Sequence, residues 1–263
     1  MSLKLLRLAM VAMLASVFAA GTGTGFGKPL RNAAQNLESG DQDINFKSTR
    51  RKAQQGNSSA QYNLGVAYHR GQGGRQDFRE AAKWFRLAAE KGLVDAQYNL
   101  GLMLALGQGV RQDATEAAKW WKLAANRGDA RAQYNLALLY KNGHGVEQSS
   151  QSAAKWFRSA ADQGIPQAQY ELGVIYFDGL GVDQDFKEAA KWLRLVAPKG
   201  IADAQYRLGI LYKVGRGVDQ NFGEAEKWLR LAAGQGVEGA QTELGALLLK
   251  KAILDQANSA TAQ

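Results

Sequence analysis

The chain has 263 residues, a formal net charge of +9 and no cysteine. Without thiols it builds neither disulfides nor thiolate metal sites, so its stability must come from packing alone. A basic balance of this size suits acidic proteins, anionic polymers or lipid headgroups as partners.

Residues 1–20 stand apart. Lys4 and Arg7 form a basic head, Leu8 to Ala20 an apolar run, and Val17-Phe18-Ala19 a small-residue cleavage site. This reads as a bacterial secretory signal peptide and predicts a periplasmic or secreted protein. An uncleaved anchor is the alternative, although the run falls short of the roughly 20 residues that span a bilayer. No cysteine follows to carry a lipid, and losing Lys4 and Arg7 takes the charge from +9 to +7. Export disfavours nucleic acid as a partner. Residues 21–41, rich in Gly, Thr, Asn and Gln, read as a flexible linker.

From there the chain repeats. Residues 42–59 resemble half a unit, with Phe46, Ala53 and Gly56 lying 36 residues before Ala82, Ala89 and Gly92 and Ser48 at the tryptophan position. Five full units follow, 60–95, 96–131, 132–167, 168–203 and 204–239, each opening on Ala-Gln and carrying Lys-Trp, as at Lys83-Trp84 and Lys119-Trp120. A fixed period of this size predicts an all-α fold, a right-handed α/α superhelix or solenoid of helix–turn–helix repeats.

Each unit reads as two helices. Helix A carries Ala60, Leu64, Ala67 and Tyr68 as an apolar stripe, with Gly65 beside it. The same glycine recurs at Gly101, Gly173, Gly209 and Gly245, with Ala137 the exception, which suggests close helix–helix approach. Gly71 stops the helix and Gly73 shares its loop. Asp77 and Glu80 then have capping-box spacing, repeated by Asp113/Glu116, Asp185/Glu188 and, less closely, Asn221/Glu224, with Ser149/Ser152 in the third unit. Helix B buries Ala81, Trp84, Phe85, Ala88 and Ala89, and ends at Gly92. Residues 240–263 start as another helix A, but Lys251 replaces the terminating glycine. One long capping helix to about Asn258 is expected, its Leu247, Leu249, Ile253 and Leu254 serving either as a cap or as a seat for a partner helix.

The pattern A-x-x-x-L-G-x-x-Y-x-x-G-x-G-V, followed by D-x-x-E-A-x-K-W and A-A-x-x-G, resembles the Sel-one-like repeat (SLR) family, a relative of the tetratricopeptide repeats. The resemblance implies a TPR-like scaffold with adaptor or signalling roles. Some members carry a cysteine pair in each repeat, and certain cysteine-rich ones are linked to β-lactam binding and hydrolysis. A hydrolase of β-lactam or cell-wall amides is therefore the enzymatic alternative, although this chain lacks those cysteines and no Ser-x-x-Lys nucleophile motif is expected in it.

The residues themselves point to no catalyst, metal or cofactor. His69 and His144 are the only histidines, and neither has a ligand partner one turn away. The glycine loops follow helices and lack the G-K-[ST] ending of a phosphate loop. Two surfaces remain. One holds the tyrosine row Tyr62, Tyr98, Tyr134, Tyr170 and Tyr206, beside positions that drift between copies: His69, Ala105, Lys141, Phe177 and Lys213, with Arg70, Leu106, Asn142, Asp178 and Val214 next to them. By resemblance this face lines a concave groove for an extended peptide, one of acidic character included, or for an envelope or secreted protein; packing between repeats is the other reading of the tyrosines. The second surface is an outward basic ridge, Lys83/Arg86, Lys119/Lys122, Lys155/Arg158, Lys191/Arg194 and Lys227/Arg230. It fits peptidoglycan or another anionic envelope polymer, or else a solvated face paired with Glu80, Glu116, Glu188 and Glu224.

Overall fold

The computed structural model describes residues 42–72 and 74–261. The expected signal peptide and linker, and Gly73, lie outside the described residues. Two compact units divide the chain between Arg127 and Gly128. Among the described residues all regular structure is helical.

The first unit contains α1 (Gln42–Gln54), α2 (Ser58–Arg70), α3 (Phe78–Glu90), α4 (Val94–Leu106) and α5 (Ala114–Asn126). The second contains α6 (Ala130–Asn142), α7 (Ser150–Asp162), α8 (Pro166–Asp178), α9 (Phe186–Val196), α10 (Ala202–Val214), α11 (Phe222–Gly234) and α12 (Ala240–Thr261). Helices α2, α4, α6, α8 and α10 are the A helices, each packed on the B helix that follows it. A short 3₁₀ turn, Ala197–Lys199, shortens α9, because Pro198 has no N–H to continue the helix.

The helical glycines do what their recurrence predicts. A Cβ on Gly65 would lie 2.7 Å from Phe85, and one on Gly101 would lie 2.6 Å from Trp121. On Gly173 and Gly209 it would lie 2.9 Å from Leu193 and 2.8 Å from Leu229. So the residue after the recurrent tryptophan, not the tryptophan itself, fills the space over the glycine. Trp121 is fully buried there, and so is Phe157, its counterpart in the repeat where Ala137 replaces the glycine. The recurrent tryptophans flank this contact, and their indole N–H donates to the glutamate one turn earlier: Trp84 to Glu80, Trp120 to Glu116, Trp192 to Glu188 and Trp228 to Glu224, at 2.9–3.2 Å. Gly245 departs from the expectation, with nothing within 4 Å of its would-be Cβ.

The capping box forms by half. Asp77 accepts from the N–H of Arg79 and Glu80, and Asp113, Ser149, Asp185 and Asn221 cap their helices similarly. The return bond from Glu80 has no vacancy to fill, because the Asp77 N–H already donates to the Tyr68 carbonyl at 3.0 Å. Glu80 is spent on Trp84 instead. A glutamine before each cap, Gln76, Gln112, Gln148, Gln184 or Gln220, donates back to the last turn of helix A at 2.6–3.0 Å. The loop is thus clamped at both ends.

Its second glycine is a stacking joint. Gly109 has φ +69°, and a Cβ there would fall 2.2 Å from the Phe78 carbonyl, at the start of the preceding B helix. Gly217 meets Phe186 in the same way. A left-handed conformation and a backbone in contact leave room only for glycine.

At one end, α1 covers α2: Ala53 is buried and Phe46 meets Tyr68 edge-on, with centroids 5.6 Å apart. At the other, α12 runs to Thr261, a little beyond the expected end.

Candidate functional site

Each drifting residue lies seven residues, about two turns, after the tyrosine of its helix A, but Ala105 is buried rather than outward and most of the others are already bonded. In the second unit Lys141 Nζ lies 2.7 Å from Glu171 on the next A helix, and Lys213 pairs with Glu243 at 2.5 Å. Both lysines are therefore neutralised by the array before any partner arrives. Between them Arg207 stacks over Phe177 at 4.9 Å and pairs with Asp203 and Asp178 at 2.6 and 3.2 Å. Phe177 also meets Phe186 edge-on at 5.7 Å.

The tyrosines lean toward packing. Tyr98 and Tyr134 are buried, and Tyr134 stacks at a tilt on Phe157. Burial, with the Glu171 carboxylate nearby, pushes the Tyr134 phenol well above its usual range. The half-buried Tyr170 donates to Asp203 at 2.8 Å, and burial followed by that carboxylate raises its pKa too. Tyr62 tilts on Phe85 and accepts from Asn99, while the Tyr206 hydroxyl borders Gly239. His69, edge-on to Phe78, is held below the normal histidine range chiefly by burial. What stays accessible in the second unit is a strip of Lys141, Asn142, Phe177, Asp178, Arg207 and Val214.

The ridge is exposed but mostly paired. Lys83, Lys191 and Lys227 lie 3.0–3.4 Å from the glutamates one turn back. Glu116 turns instead to Arg86 at 2.6 Å, and that hydrogen bond holds its carboxyl below the usual range. Arg158 reaches Glu188 and Tyr176, Arg194 reaches Tyr212, and Arg230 shares Glu226 with Lys251. Lys119, Lys122 and Lys155 stand in solvent. Beside the ridge in the first unit lies a shallow groove of about 480 Å³, lined by Trp120, Leu123, Arg127, Glu90 and Gln97.

The expectation of no Ser-x-x-Lys motif is wrong for the sequence, since Ser152-Ala153-Ala154-Lys155 has that spacing. The structure gives it no nucleophile–base pairing. The Ser152 hydroxyl bonds to Ser149 at 2.9 Å, while Lys155 stands in solvent over the Trp156 ring. A lysine general base needs desolvation and contact with its nucleophile. Among the described residues no group of three or more His, Cys, Asp or Glu side chains could hold a metal ion. Nor is any described helix long and apolar enough to cross a membrane.

Sequence reasoning also passed over the glutamine of each Ala-Gln opening. Gln61, Gln97, Gln169 and Gln205 are buried and donate to the closing carbonyl of the preceding B helix, at 2.9–3.3 Å. Their recurrence at every copy was the available signal. In two repeats the amide oxygen is satisfied thirty residues later, by Gln163 on Gln133 and Gln235 on Gln205. In Gln61, Gln97 and Gln169 it is buried without a partner.

Among known proteins, a family model described as the Sel1 repeat matches residues 58–93, 94–129, 130–165, 166–197 and 202–237. No curated protein matches the chain. Of the solved structures, the chain is similar to c5321, a protective antigen present in uropathogenic Escherichia coli strains and displaying an SLR fold. They share 38% identity with a TM-score of 0.68, over 77% of this chain and 43% of that one. The chain thus spans less than half the length of that relative. It is also similar to a Sel1 repeat protein from Oxalobacter formigenes, with 32% identity and a TM-score of 0.62, over 68% of this chain and 74% of that one. A repeat frame matched five times in tandem, with the A/B pairing seen in both units, makes this chain a member of the Sel1 repeat family, whose proteins generally serve as protein-interaction scaffolds.

Proposed function

We propose that the protein is a non-catalytic scaffold or adaptor of the bacterial cell envelope, and that it binds a partner protein or an extended peptide along the helix-A face. One observation carries this reading. The frame positions of helix A (the buried Gln, Leu and small residue) stay nearly constant, while the position two turns after the tyrosine changes from His69 to Lys141, Phe177 and Lys213; in the second repeat that position is Ala105, which is buried and offers no surface. Repeats that hold their packing residues and vary their exposed ones have surface available for recognition. The envelope location rests on the signal-like residues 1–20.

The partner's charge is less constrained than the lysines alone suggest. An acidic segment would have to displace Glu171 from Lys141 or Glu243 from Lys213. Apolar contact with Phe177 and Val214, and hydrogen bonds to the Arg207–Asp178 cluster, are what the strip offers directly. An envelope polymer on the ridge remains the competing ligand, and Lys119, Lys122 and Lys155 are the side chains open to it.

Binding of an isolated partner separates the two. Helix-A binding should survive an increase from 50 to 300 mM salt (of order threefold loss or less) and fall at least tenfold in Phe177→Ala. Ridge binding should fade steeply with salt and with Lys119→Glu plus Lys155→Glu. If Phe177→Ala binds like wild type and the ridge variant does not, the helix-A reading is wrong.

A further inference from the structure

α12 begins as the other A helices do. Ala240, Leu244 and Leu247 are buried, matching Ala204, Leu208 and Leu211 of α10. On the side of Gly245 the helix is bare: Leu248 and Leu249, the next turn along, are each at least 40% exposed, and Ile253 and Leu254 are exposed further on. Gln241 is exposed where its counterpart Gln205 is buried. Gly245 marks the difference most sharply. Leu193 sits over Gly173 and Leu229 over Gly209 because a B helix lies on each A helix, whereas Gly245 has nothing within 4 Å of its would-be Cβ. Among the described residues no helix follows α12. The A/B interface series thus continues onto α12 with one side open.

We propose that this face docks an amphipathic α-helix of a partner protein, seated on α12 as α9 sits on α8 and α11 on α10. The occupant's chemistry follows from those internal examples. It carries one bulky aliphatic or aromatic side chain for the notch over Gly245, alanines beside it for close approach, and a polar outer face. Phe85, Trp121, Leu193 and Leu229 show the range of sizes that such a notch accepts. The cations of α12 argue against an anionic lipid surface as the occupant. Lys250 lies over the Phe222 ring and Lys251 pairs with Glu226, so both are drawn to α11 rather than flanking the exposed leucines. The notch over Gly245 lies outside the helix-A strip, although Leu249 beside it falls at the repeat position of Lys213, and the inference does not rest on partner binding along that strip.

The test uses the whole chain and a fluorescein-labelled peptide of residues 77–92, the α3 sequence, held helical by a lactam on its outer face. Gly245→Leu fills the notch from within. It has no neighbour to clash with and replaces a helical glycine, so the variant should keep the wild-type circular dichroism. Fluorescence anisotropy should show saturable binding to wild type, weakened at least tenfold by Gly245→Leu, and equally by Phe85→Ala in the peptide. Absence of binding at millimolar protein overturns the proposal, as does equal binding by Gly245→Leu. So does sedimentation of wild type as a dimer that Leu249→Glu dissociates, which assigns the face to a second copy. Pelleting with anionic phosphatidylglycerol vesicles that Leu249→Glu abolishes, with no peptide binding, assigns it to a membrane instead and equally overturns the proposal.

Discussion

Replacing a helical glycine by alanine ordinarily stabilises a helix by about 1 kcal/mol. Two glycines at the same repeat position, Gly101 and Gly245, should respond with opposite signs. A Cβ on Gly101 would sit 2.6 Å from Trp121 Nε1 and 2.7 Å from its Cδ1. Trp121 is 1% exposed, and its N–H donates to the Tyr98 carbonyl at 3.1 Å, so it has little room to retreat. Overpacking of this kind costs about 1–3 kcal/mol. Breaking the indole bond adds about 1 kcal/mol or more. Set against the propensity gain, Gly101→Ala should lose about 1–3 kcal/mol. Gly245→Ala meets no atom within 4 Å and should gain up to about 1 kcal/mol. Urea titrations followed by far-UV circular dichroism read both, and midpoints should be compared first because repeat arrays can depart from two-state behaviour. If Gly101→Ala raises the midpoint as Gly245→Ala does, the close approach of α4 and α5 is wrong.

Gly109→Ala should be more damaging than either, losing about 2 kcal/mol or more, because it adds a left-handed penalty to a 2.2 Å collision with the Phe78 backbone; the same urea titration measures it. Glu116 should supply part of the acid sensitivity. Its folded pKa lies below the ordinary value of 4.5, so its stabilisation is present above about pH 4.5 and disappears as pH falls through the folded value. Arg86→Gln should therefore return the Glu116 carboxyl toward its normal titration by NMR, and an unchanged curve would dismiss the ion pair. Deleting one 36-residue repeat, 166–201, should leave a shorter folded array, whereas deleting 18 residues should not, since it removes one helix from a pair. Equal helicity of the two products by circular dichroism would break the repeat account.

The repeat was legible because its two signals are local. Apolar residues at 3.6-residue spacing gave the helices, and loop glycines gave their ends, as Gly71 and Gly107 show. The size of Gly65 and its copies announced close packing but not its partner: helix rotation puts the residue after the recurrent tryptophan, such as Phe85 or Leu193, over the glycine. The state of the candidate surface was not legible from one repeat. Lys141 with Glu171, Lys213 with Glu243, Arg86 with Glu116 and Gln133 with Gln163 are each thirty residues apart. In the three ion pairs that separation joins the later part of one helix to the first half of its counterpart in the next repeat, and in the glutamine pair it joins helix A to the end of helix B within one repeat. No periodicity within a helix reveals it. Superposing the copies would have, and it would have removed the two lysines from the free cations expected on that face. The Asp77 cap shows the same limit in miniature, since its N–H was claimed by Tyr68 from outside the capping motif.

Recognition by the helix-A face is the central claim, and site-specific photocrosslinking in the native host tests it most directly. The chain has no cysteine, so a single cysteine-linked photoprobe can be placed at will. Probes at Asn142 and Val214 report on the helix-A strip, and probes at Lys119 and Lys191 on the ridge; all four side chains are exposed. The account predicts that one discrete envelope protein is captured from Asn142 and Val214 and not from the ridge positions. Capture from Lys119 and Lys191 alone would contradict it.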